Sequence, residues 1–136
     1  MATTDEVRLT VPAMPEFLRL TRVTAAGLAS RLGFSFDEVE DLRLAIDELC
    51  YGLTGSTGQP GTMHVRYLLG PDSLVVEGEG HFDGIDAAAG RPVAPPTLSE
   101  LSEVILSALV DEHELGAGNH GPTFRLLKRR NVGGDT

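Results

Sequence analysis

The chain has a single cysteine, Cys50, few cationic residues, and no apolar run of membrane-spanning length. Each scarcity excludes something. One cysteine cannot close an internal disulfide, so a reducing cytosol is the expected compartment. A transmembrane helix needs about 20 mostly apolar residues in a row, and no segment offers them. Met1 to Arg8 carries acids and threonine where a secretory leader needs a basic patch and an apolar stretch. The 11 Lys and Arg face 20 Asp and Glu, a formal net charge of −9. That sign is wrong for a surface that must displace counterions from phosphates. The one basic cluster, Lys128 to Arg130, is short. Neither nucleic acid nor a membrane is therefore an expected partner; an acidic protein suits a partner with a basic surface.

What is present is the balance of a soluble globular protein, 41% hydrophobic and 23% charged over 136 residues. That length suits one domain, residues 1–136, with one core. Glu6 to Val11 alternates apolar and polar, the period of a half-buried strand. Pro15 suits a first helical turn. Phe17 to Leu32 follows as helix, with Leu18, Ala25, Leu28 and Leu32 as its apolar stripe and Arg19 and Arg22 on another face. Ser35 to Glu38 is a capping-box pattern, the glutamate three residues after the cap. Val39, Leu42, Ile46, Leu49 and Leu53 then recur at steps of three and four, one buried helical face. Thr62 to Leu69 and Ser73 to Glu79 are expected strands around the turn Gly70-Pro71-Asp72. Gly80 to Pro96 has no period and reads as a long loop. Leu98 to Val110 returns to helical spacing. Glu112 to Leu115 and Thr123 to Leu127 read as strands around a turn-rich segment. The order β-α-α-β-β-α-β-β predicts a two-layer α/β sandwich, helices covering one face of a mixed sheet.

Most candidate chemistry dissolves on inspection. His64, His81, His113 and His120 show no metal-ligand spacing, so no metal is expected. Gly78-x-Gly80 and Gly116-Ala117-Gly118 lack the Lys-Ser/Thr ending of a phosphate loop. Cys50 flanks the apolar stripe and reads as a small buried hydrophobe. Asp47 reads as solvated surface.

The stretch Asp41-Leu-Arg-Leu-Ala-Ile-Asp-Glu-Leu-Cys50 resembles the N-box helix of the GHKL (histidine-kinase-like) ATPases, closest to their anti-sigma-factor serine-kinase branch. Thr21-Arg22-Val23-Thr24 and Leu109-Val110-Asp111-Glu112 match in order. The resemblance covers roughly residues 6 to 130 and implies the Bergerat-type fold. In that family the N-box runs Glu-x-x-x-Asn: the glutamate acts as base, and the asparagine one turn on holds Mg²⁺ against ATP. Residues at i and i+4 share a helix face, which is why the spacing works. Here Glu48 matches the base, and Gly52 stands where the asparagine belongs. The family's Asp-x-Gly, which binds adenine, falls on Gly78-Glu79-Gly80, with Gly78 at the Asp position and Glu79 pointing to the other face of the strand. The Gly-x-Gly that opens the last helix and admits phosphates falls on Glu100 and Ser102. Three parts of one nucleotide site depart together, which implies that Glu48 is a vestigial catalytic residue and that neither ATP nor Mg²⁺ is held. The resemblance also implies that Arg22, with Arg19 beside it, contacts partner proteins.

The resulting expectation is a bacterial cytoplasmic regulator that binds a sigma factor and/or an anti-anti-sigma antagonist by steric occlusion, as a homodimer and without kinase chemistry. Its rivals are an active ATP-dependent serine kinase acting on an anti-anti-sigma factor, and a scaffold modulating a related kinase.

Overall fold

The computed structural model describes residues 5–83 and 97–131. Strand β1 (Asp5–Pro12) leads into helices α1 (Pro15–Arg31) and α2 (Phe36–Thr54). Strands β2 (Gly61–Leu69) and β3 (Ser73–Phe82), helix α3 (Glu100–Leu109) and strands β4 (Glu112–Ala117) and β5 (Pro122–Arg129) complete the order expected from the sequence.

Helix α2 begins where its capping box is written. The Glu38 amide donates to Ser35 Oγ at 3.1 Å, and the Ser35 amide donates to Glu38 Oε1 at 2.8 Å. Two amides that no helical carbonyl can reach are thereby satisfied. All five residues of the predicted stripe are buried, joined by Ala45 and Cys50. Each large apolar side chain so buried stabilises the fold by about 1.5–3 kcal/mol. Burial also pushes the Cys50 thiol up to about 12, offset in part by Thr21, so this sulfur is a packing group rather than a nucleophile. Tyr67, buried in β2, donates from its hydroxyl to the Thr21 carbonyl at 2.8 Å and ties the sheet to α1.

The five strands form one sheet in the order β1-β2-β3-β5-β4. Every pairing is antiparallel, so the expected mixed sheet is corrected. The α3 crossover does bring β4 back in the direction of β3, but the hairpin return β5 inserts between them. An antiparallel sheet can bury one face and leave the other to water. Here Val76, Phe124 and Leu126 bury against the helices, while Arg66, Glu77 and Arg125 join in ion pairs on the open face.

The expected loop from Gly80 is also corrected at its start, because β3 continues to Phe82 and pairs Gly80 with Met63 and Phe82 with Gly61. Its glycines hid the alternation. Residues 84–96 of that loop lie outside the described residues. Lys128 to Arg130 do not form a basic patch: Lys128 reaches Asp41 at 3.7 Å, Arg129 reaches Glu112 at 3.6 Å and Arg130 reaches Asp72 at 2.6 Å. No helix among the described residues is long and apolar enough to cross a membrane.

Candidate functional site

The helix-facing side of the sheet, between α2 and the start of α3, gathers the positions singled out by the N-box resemblance. Glu48 is half-buried on α2, and its Oε2 accepts a 2.5 Å hydrogen bond from Ser102 Oγ on α3. The Ser102 amide, one of the unpaired N–H groups at the start of α3, donates to Ser99 Oγ at 3.1 Å. The carboxylate thus sits beside the first turn of α3, at the positive end of its dipole. Glu100 lies in the same first turn and is exposed. A Cβ at Gly52 would stand 3.1 Å from Leu98 Cδ2, so that position is filled from the segment leading into α3.

Gly78 and Gly80 lie on the same inner face of β3. Gly78 is paired across the ladder with Phe124. A Cβ at 78 would run into the Phe124 ring, 2.7 Å from its Cζ and 2.9 Å from Cδ2. The Phe82 ring folds back along its own strand over Gly80, leaving a Cβ there 2.6 Å from Cε2. Both rings belong to the buried core, Phe124 2% and Phe82 6% exposed. The space above the adenine-motif glycines is therefore occupied by the chain's own aromatic side chains. A bare glycine opposite an aromatic is also a stable cross-strand pair in its own right.

Arg22 does not stand free. Its Nη1 donates to both carboxylate oxygens of Asp47, at 3.0 and 3.1 Å, and so joins α1 to α2. Asp47, expected as solvated surface, is the partner that sequence reasoning missed. Arg19 is exposed nearby. Around this pair the helix layer presents apolar side chains to solvent: Phe17, Leu20 and Val23 from α1, Leu44 and Tyr51 from α2.

No family model matches the chain. The RsbW serine-protein kinase of Bacillus pumilus is 32% identical over 98% of this chain and 93% of its own length. The chain belongs to the RsbW serine-protein kinase family. The Bacillus subtilis RsbW serine-protein kinase is 31% identical over 93% of this chain and 87% of its own length. A crystal structure of the RsbU and RsbW domains of Rv1364c from Mycobacterium tuberculosis shares the fold, at a TM-score of 0.63 and 18% identity. It matches 95% of this chain, which spans 33% of that longer one.

Within this RsbW-family fold, Glu48, Gly52 and Ser102 meet at one place, as the order of the motifs implies, and Gly78 and Gly80 line the inner sheet face. The sequence had no means of placing Phe124 over Gly78, because the two are joined only by strand register. That His64 and His120 join Glu79 and His81 on the opposite face was not legible either. Glu79-x-His81, one residue apart in a strand and so on one face, was the signal available.

Proposed function

We propose that this RsbW-family chain regulates by binding rather than by phosphotransfer. In this reading it is a cytoplasmic anti-sigma-factor-like protein whose helix layer occludes a sigma factor and/or an anti-anti-sigma antagonist. The observation that carries the reading is the self-occupied nucleotide position. Phe124 and Phe82 cover Gly78 and Gly80, while Ser102 takes the carboxylate of Glu48. ATP would have to displace buried rings and break a short hydrogen bond before any metal was bound, and Gly52 then offers that metal no side-chain oxygen ligand. The exposed apolar residues of α1 and α2 supply the desolvation surface that protein partners use, with Arg22 and Arg19 as charged anchors. Assembly into homodimers belongs to the same reading and is checked by sedimentation equilibrium.

The deciding experiment is calorimetric titration with Mg·ATP. The expected result is no saturable heat at physiological nucleotide concentration. Micromolar binding, or transfer of phosphate to a serine of a co-purified antagonist, would replace this reading with the kinase one. That second reading draws its support from the retained Glu48 and from relatives named as serine-protein kinases.

A further inference from the structure

On the open face of the sheet, away from the inner face just described, three histidines and a glutamate come together from distant parts of the chain. Glu79 and His81 project from the same side of β3, and His64 stands opposite Glu79 on β2. His120 arrives from the turn between β4 and β5, closed by the Gly118 amide donating to the Gly121 carbonyl at 2.8 Å. His81 Nε2 lies 2.9 Å from Glu79 Oε1, and His120 Nδ1 lies 3.4 Å from the same oxygen.

We propose that Glu79, His81 and His120 form a binding site for a divalent transition-metal ion of the zinc type. One donor atom from each falls within 4.8 Å of the other two. Tetrahedral zinc, with bonds of about 2.0–2.1 Å, separates its ligand atoms by about 3.3 Å. The two separations from Glu79 Oε1 bracket that value, while His81 and His120 lie stacked at 14° between ring planes, so His120 on its exposed turn must rotate off the stack for both nitrogens to face one ion. Two imidazoles and a carboxylate form a set that suits zinc and its neighbours rather than Mg²⁺ or Ca²⁺, which take oxygen ligands.

The surroundings hold Glu79 and His81 in place. The His64 ring stacks on His81 with centroids 3.8 Å apart, and His81 stacks on His120 at 4.3 Å. Both nitrogens of His64 are already engaged, Nδ1 with Thr10 Oγ1 at 3.3 Å and Nε2 with Thr62 Oγ1 at 3.0 Å. His64 is therefore a positioning residue that fixes the plane of the His81 ring, not a ligand. Glu79 Oε2 accepts from the His120 backbone amide at 3.4 Å, which orients the carboxylate from behind. Such outer contacts are what metal-ligating side chains use to hold their geometry. Gly118 makes the approach of the turn feasible, since a Cβ there would stand 2.9 Å from Thr123 Cγ2 and 3.1 Å from Glu79 Cδ.

Access is open as well. The His120 side chain is 62% exposed, so an ion can enter from solvent and complete its coordination with water. The ion would take the place of the 2.9 Å contact between His81 Nε2 and Glu79 Oε1. Occupied, the site pins the β4–β5 turn onto β3.

Tag-free protein titrated calorimetrically with Zn²⁺ near neutral pH tests the proposal. One ion per chain should bind in the low-micromolar range or tighter, with the unfolding temperature rising as zinc is added. His81→Ala and His120→Ala should each weaken binding by roughly 100-fold or more, and His64→Ala by about 10-fold, because loss of an outer contact costs less than loss of a ligand. His113, held against Glu103 elsewhere, serves as the control, and His113→Ala should leave affinity unchanged. Absence of saturable uptake, or uptake that survives His81→Ala, would overturn the site. Because a variant can misfold, the unmodified protein supplies an independent reading: zinc should shift the imidazole NMR signals of His81 and His120. Shifts confined to His113 would overturn the proposal equally.

Discussion

The two faces of β3 carry neighbouring residues into opposite circumstances. Toward the helices, Gly78 and Gly80 give up their side chains so that Phe124 and Phe82 can lie flat on the backbone. Toward solvent, Glu79 and His81 present donor atoms that meet each other and His120. A strand alternates its side chains strictly, so a four-residue stretch supplies both surfaces without any change of backbone. The buried face carries glycines covered by packed rings, and the wet face carries the cluster of titratable groups.

The sharpest way to break this contrast is Gly78→Asp, the change that sequence reasoning alone would choose to restore an adenine acceptor. It forces a side chain into the Phe124 ring and buries a carboxylate, so it should cost about 3 kcal/mol or more of unfolding free energy in urea denaturation. Adding Phe124→Ala should yield a double variant whose loss falls short of the sum by about 1 kcal/mol or more, since the two sites share one space. A Gly78→Asp protein as stable as its parent would mean the inner face is open after all.

A smaller step compares adjacent residues. Gly80→Ala should cost about 1–3 kcal/mol through overlap with Phe82. His81→Ala, half-buried on the other face, should cost less, about 0.5–1 kcal/mol, for the lost hydrogen bond to Glu79. Equal losses would mean that both faces are packed alike.

The helix layer offers a case away from both faces. A double-mutant cycle on Arg22 and Asp47 should give a coupling of about 0.2–1 kcal/mol in stability, because both side chains are partly solvated. Arg22→Ala should weaken capture of a protein partner by about 1–3 kcal/mol if it anchors the interface. Loss of stability as large as the loss of binding would reassign Arg22 to the fold alone.

The smallest effect is a pH dependence at the start of α2. Burial raises the Glu38 carboxyl, but amide hydrogen bonds from Ser35 and Asn131 outweigh it and hold the group below 4.5. A carboxyl depressed in the folded state stabilises it fully above the unfolded value and loses that contribution as pH falls through the folded one. The stability advantage of the parent over Glu38→Gln should therefore be constant near neutrality and shrink below 4.5. An advantage that grew on acidification would contradict the capping geometry.

Much of this was legible before any coordinates. Periodicity placed all eight elements of the described residues, because burial on one face of a helix or strand is a local pattern. The capping box located the start of α2 because its two hydrogen bonds close within four residues. The i, i+4 relation of Glu48 and Gly52 followed from helix geometry alone, and so did the assignment of Glu79 to the face opposite Gly78.

What remained hidden depends on contacts between residues far apart in the chain. Strand direction was misread as mixed, because only the return of β5 between β3 and β4 decides it. The pairing of Gly78 with Phe124 is a matter of register across a ladder. Ser102 meets Glu48 because α3 docks on α2, and Arg22 meets Asp47 because α1 does. His120 reaches Glu79 only once a turn has folded over the sheet. The sequence by itself determined the elements, their faces and the absence of an N-box asparagine, since each is written in neighbouring residues. The tertiary structure alone decided which side chains cover the β3 glycines and which gather on the opposite face, because residues distant in sequence become neighbours only when burial of the shared core fixes the register.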